Sequence, residues 1–101
     1  MVNKLLQRIL ENKVQKGFPI RDYQYDFTKL EEEIKEAQFA LADKDFEAFG
    51  EELADIIILA LGMASYENIN MEKHLFRKMD KIEKRKIIKI AENKFEKEEG
   101  Q

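Results

Sequence analysis

The chain has no cysteine, one proline, one histidine and four glycines. Without cysteine there is no disulfide scaffold and no thiolate metal site. A single histidine excludes a multi-histidine zinc site within one chain. With so few prolines and glycines, little interrupts a helical pattern. No segment alternates apolar and polar residues as a strand would, and no internal repeat is present. The longest apolar run, residues 53–64, is too short to span a bilayer and carries an acid. Met1-Val-Asn-Lys leads straight into an amphipathic pattern rather than a signal peptide. A soluble, cytoplasmic protein is therefore expected. The 21 acids and 18 bases leave a net charge of −3, too mild to imply nucleic-acid or membrane binding by bulk charge.

What remains is a helix-forming sequence of 101 residues, 44% hydrophobic and 39% charged. That suits one small all-α domain, residues 1–101, built of amphipathic helices with ion-paired outer faces. Val2, Leu5, Leu6, Ile9 and Leu10 recur at helical spacing, predicting a first helix over 2–16 that Gly17 stops, with Pro19 just beyond. Residues 17–26 read as a loop rich in aromatics: Phe18, Tyr23 and Tyr25, with Phe27 at its exit. Those rings either anchor the loop on the core or stack a base. A second helix is expected from Asp26 or Thr28, where Thr28 and Glu31 fit a capping box. Its apolar stripe is Leu30, Ile34, Ala37 and Leu41. Asp43-Lys-Asp45 marks a turn. A third helix carries Phe46, Phe49, Leu53, Ile56, Ile57, Ala60 and Leu61 and ends near Tyr66, with both phenylalanines expected in the core. After Asn68-Ile-Asn70, Asn70 caps a fourth helix, apolar through Leu75, Met79 and Ile82 and basic on the other side. His74 reads as a surface residue. The tail from about residue 92 is expected to be disordered. The architecture predicted is a four-helix bundle with mostly antiparallel neighbours.

Asp55 is the only charge in the run 53–64. A helix apolar on all sides belongs in a core, and a lone buried carboxylate there is costly unless paired or metal-bound. Glu52 lies three residues earlier, on the same side of the helix. Upstream, Glu32-Glu33-Ile-Lys-Glu36 repeats that spacing. A short turn between the second and third helices makes them a hairpin and brings the two acidic groups face to face. Two carboxylates about 4 Å apart repel by roughly 4 kcal/mol at an effective dielectric near 20. A hard divalent cation removes that repulsion, and an all-oxygen donor set selects Mg²⁺ or Mn²⁺ over zinc. Against this stand two bland alternatives: a solvated acidic face, and an Asp55 tied to a lysine or arginine of another helix. The third helix is also apolar on more sides than a small monomer can cover, so a homodimer or homotetramer is expected.

Three segments together, residues 29–36, 51–58 and 78–85, resemble the MazG-like all-α nucleotide pyrophosphohydrolases, with an EExxE motif, an ExxD motif and a Lys…Arg element in that order. The likeness covers about residues 29–85. It implies a MazG-like fold and an enzyme that splits a nucleoside triphosphate, NTP or dNTP, into the monophosphate and pyrophosphate. It further implies Mg²⁺ held by Glu33, Glu36, Glu52 and Asp55, Glu32 orienting or deprotonating water or supporting the ligands, and Lys81 and Arg85 contacting phosphate. Lys81 and Arg85 lie four apart, so both reach one polyphosphate from a single face, although a merely solvated basic face has the same pattern. The chain departs from the family's pattern at Ile82, where many relatives carry Asn, and at Lys86-Ile-Ile-Lys-Ile-Ala91, which replaces an Arg-Pro-Tyr type ending. Two alternatives stay open: phosphoribosyl-ATP hydrolysis, and a non-catalytic helical interaction protein derived from the family. A di-iron carboxylate bundle needs a Glu-x-x-His spacing, which His74 cannot supply because position 71 is Met.

Overall fold

The computed structural model describes the backbone of residues 1–92 and the side chains of residues 1–85. The expected disordered tail lies outside the described residues. Among the described residues there are four helices and no strand: α1 (Val2–Lys16), α2 (Tyr23–Ala42), α3 (Phe46–Tyr66) and α4 (Met71–Glu92). They divide into two compact units, one ending at Asn70 and the other beginning at Met71.

Local chemistry sets the helix ends. Gly17 adopts the left-handed conformation at φ 72°, which glycine reaches without a Cβ penalty. There its N–H reaches the Val14 carbonyl at 3.2 Å, and the Phe18 N–H reaches that of Lys13 at 2.9 Å. Lys13 and Lys16 lie in the last turn, where cations favour the helix dipole. The three-residue turn after α2 passes through Lys44 at φ 57°, and Asp45 then caps α3 by accepting from the Ala48 N–H at 3.1 Å. Asn68, at φ 52°, turns the chain after α3.

The start of α2 differs from the sequence expectation. The helix begins at Tyr23, not at Asp26 or Thr28, and the capping box does not form. Asp22 is the cap instead, accepting from the Tyr25 N–H at 3.1 Å. The reason lies one turn on: Asp26 is only 1% exposed, so the segment is pinned into the core as helix. Asp26 accepts from the Tyr66 hydroxyl at 2.7 Å and from Lys13 Nζ at 3.3 Å. Lys13 also stands 5.3 Å over the Tyr66 ring, and Tyr23 meets that ring edge-on at 5.5 Å. Arg21 donates to the Tyr66 carbonyl at 2.7 Å, and both Arg21 and Tyr23 bond Glu67. The aromatic loop is therefore an anchor through Tyr23, while Phe18 and Phe27 stay exposed.

In the first unit α3 packs against both α2 and α1. The start of α2 meets the end of α3 at Asp26 and Tyr66, so the two run antiparallel. Ile9 of α1 faces Gly62, and Asn3 donates to Asn70 at 3.0 Å. The buried apolar core is Leu6, Ala37, Leu61, Ala64 and Tyr66. That core corrects one expectation. Only the C-terminal half of α3 is buried; Leu53, Ile57 and Ile58 are 41%, 55% and 45% exposed, and Asp55 is exposed too. Asp55 is therefore not a carboxylate in a dry core. Ile9 of α1 meets α3 at Gly62, in that buried half. Phe46, expected in the core, is 65% exposed, whereas Phe49 is half-buried.

In the second unit, α4 begins at Met71. His74 is exposed, in keeping with its reading as a surface residue. Among the described residues no helix is long and apolar enough to cross a membrane.

Candidate metal centre

The α2–α3 hairpin brings the two acidic segments together. Glu33 and Glu36 come from adjacent turns of α2, and Glu52 comes from the second turn of α3. One carboxylate oxygen from each lies within 4.8 Å of the others. Glu33 and Glu52 are half-buried and Glu36 is exposed, so the cluster has one wet side. Glu33 Oε2 and Glu52 Oε2 are buried and accept no hydrogen bond from any described residue. A buried carboxylate oxygen without a donor is unfavourable. These two oxygens mark where charge compensation is missing.

Electrostatics carry the same message. The Glu52 carboxyl is pushed up to about 7, by hydrogen bonding with Glu36, by loss of solvent, and by the hydrogen bond and charge of Glu33. Glu33 is raised by loss of solvent first, then by the charge of Glu36 and the proximity of Asp55, with Glu52 pulling the other way. Like charges sharing a site disfavour joint ionisation.

Each residue singled out from sequence has a definite place. Glu33, Glu36 and Glu52 converge. Asp55 lies next to Glu33 and lines a cleft with it, but falls outside the tight trio. Glu32 is exposed and also outside the trio. Lys81 is exposed and Arg85 half-buried, both on α4 in the second unit.

The cleft beside the cluster has a volume of about 820 Å³ and is walled by α1, α2 and α3. Sequence reasoning missed its residues on α1, among them Arg8 and Asn12, and gave Lys29 no role, although it did single out Phe18 and Tyr25, which also line the cleft. The only available signal was that Lys29 precedes Glu33 by one helical turn. The donor set is entirely carboxylate oxygen, chemistry suited to a hard divalent cation such as Mg²⁺ or Mn²⁺, and two of its oxygens are buried without a partner.

The family model described as phosphoribosyl-ATP pyrophosphohydrolase matches residues 2–85 of the chain. That span takes in α1 as well as the three motif segments. No curated protein and no solved structure matches the chain.

Proposed function

The chain belongs to the phosphoribosyl-ATP pyrophosphohydrolase family, within the MazG-like all-α NTP pyrophosphohydrolases, and from that premise we propose that it hydrolyses a phosphoribosyl-ATP type substrate with a divalent cation. Water adds at the α-phosphate, the bond to the bridging oxygen of the β-phosphate breaks, and pyrophosphate leaves. The observation that carries this reading is the trio Glu33, Glu36 and Glu52 with two buried, unpartnered oxygens. Isolated solvated acids would not be raised as Glu33 and Glu52 are.

In this reading Glu33, Glu36 and Glu52 hold Mg²⁺ or Mn²⁺, with Asp55 completing the set beside Glu33. The cation, when bound, neutralises phosphate charge and acidifies a water. Phosphoryl transfer asks the protein chiefly for placement and charge, not for covalent chemistry. Glu32, one residue from the trio, accepts the water's proton or orients the water through its neighbours. Lys81 and Arg85 are proposed as phosphate contacts on the strength of motif order and their shared helix face. The exposed Leu53, Ile57 and Ile58 support assembly with a second copy, which would remove them from water.

The test is pyrophosphate release with Mg²⁺ or Mn²⁺ from phosphoribosyl-ATP and from a panel of canonical and modified NTPs and dNTPs. The panel is needed because the wider group acts on nucleoside triphosphates. Release from phosphoribosyl-ATP above all, lost in Glu33→Gln and Glu52→Gln, is the expected result. Release from an NTP or dNTP alone would move the substrate to that class. A folded protein that binds neither cation and releases nothing would mean a non-catalytic helical protein, and the proposal would fall.

A further inference from the structure

The cleft next to the acidic trio is large enough for a nucleotide, since small-molecule sites run to several hundred Å³. Its α2 wall is a ladder. Tyr25, Lys29 and Glu33 all line it, each four residues from the next. Four residues advance a helix by about 6 Å and return to nearly the same face. The order along that face is an aromatic ring, a cation, then a carboxylate of the trio. A nucleoside polyphosphate presents the complementary order: a flat base, a phosphate, then the phosphates that chelate a cation.

Each member is placed for a ligand better than for the fold. Tyr25 is half-buried and its ring lines the cleft, while the neighbouring Tyr23 does the anchoring against Tyr66. The backbone of Tyr25 is held by the Asp22 cap, so the ring starts from a fixed position. Lys29 is exposed and makes no ion pair with any described residue, although Glu33 is one turn away. A lysine N-terminal to a glutamate is the weaker orientation of such a pair. Glu33 carries one of the two unpartnered buried oxygens. On α3 the cleft is lined by Ile58 and Leu59, apolar surface against which a base can pack, next to Asp55.

We propose that the substrate lies along this face of α2, with its base on the Tyr25 ring, its α-phosphate at Lys29 and its outer phosphates toward Glu33. This deepens the pyrophosphohydrolase reading and rests on it. Reversing the substrate would set the base among carboxylates and the outer phosphates against the Tyr25 ring, away from the cation site.

The experiment titrates α,β-methylene-ATP and inorganic tripolyphosphate into the full chain with Mg²⁺ present, and Mn²⁺ alone in parallel. Tyr25→Leu is expected to weaken α,β-methylene-ATP by about ten-fold, as for loss of one base–aromatic stack, and to leave tripolyphosphate binding unchanged. Tyr25→Phe keeps the ring and is expected to bind both probes as the parent does. Lys29→Met is expected to weaken both probes, because each brings a phosphate to it. Mn²⁺ affinity should be retained in all three variants, which also certifies that they fold. Unchanged nucleotide affinity in Tyr25→Leu, or unchanged affinity for both probes in Lys29→Met, overturns the layout. So does a variant that loses Mn²⁺ affinity, because the side chain then supports the fold rather than the substrate. A parent protein that binds neither Mn²⁺ nor either probe instead overturns the pyrophosphohydrolase reading itself.

Discussion

Cation binding to the trio should expel protons, and the number can be worked out in advance. Carboxylate ligands must be deprotonated to coordinate. With Glu52 at about 7, that group holds about half a proton at pH 7, about 0.9 at pH 6 and about 0.1 at pH 8. Loading the site should therefore release about half a proton from Glu52 at neutral pH, with Glu33 adding in the same direction. The assay is calorimetric titration of Mn²⁺ in two buffers of different ionisation enthalpy. The dependence of the observed heat on buffer enthalpy gives the protons released per cation. Glu52→Gln should remove most of that release. A heat independent of buffer at pH 7, with Mn²⁺ still bound, would refute the argument that these carboxyls are held together without compensation. The same shift fixes the sign of the stability effect. The folded-state value lies above the ordinary 4.5, so the cation-free fold is favoured by this group below pH 4.5. That advantage disappears as pH rises through about 7. Saturating Mn²⁺ should abolish the decline, because it binds the folded form alone.

Three further outcomes follow from the fold. Tyr66→Phe leaves the buried Asp26 Oδ2 without its 2.7 Å donor and should cost about 1–3 kcal/mol in urea unfolding; combined with Asp26→Asn the loss should be less than additive, and strict additivity would show the two groups uncoupled. Lys13 and Tyr66 are both raised, Lys13 because its hydrogen bonds and charge contacts with Tyr66 and Asp26 outweigh the opposing desolvation, Tyr66 chiefly by desolvation. Their contribution is thus complete below pH 10 and lost as pH climbs through the folded values, so the loss of stability between pH 9 and pH 11 should shrink in Lys13→Met, with the part due to Tyr66 remaining. Gly17→Ala meets no neighbour but must hold φ 72°, and should cost about 1 kcal/mol, a fall in Tm of roughly 4–8 °C for a domain of this size.

The parts of this molecule written in local pattern were readable in advance. The bounds of α1 and α3 followed from apolar spacing and from Gly17, and the short turn ahead of Asp45 implied that Glu33 and Glu36 would face Glu52. Each of these depends only on residues a few positions apart. Asp22 as the cap of α2 was not readable, because Thr28 and Glu31 offered an equally good local signal. Asp26 decided between them through a partner forty residues away. Phe46 was misplaced for a related reason: its hydrophobicity is local, but whether another helix covers it is not.

The two aspartates set the boundary between the levels. Sequence alone determined that the chain would be helical, that its helices would carry two acidic segments in hairpin relation, and that thiolate and multi-histidine metal sites were excluded within one chain. Tertiary structure alone decided that Asp26 lies in the core, satisfied by Tyr66 and Lys13, while Asp55 is exposed beside Glu33. Helix formation is governed by neighbours along the chain. Burial is governed by which surfaces the packed helices leave uncovered, and no run of residues specifies that by itself.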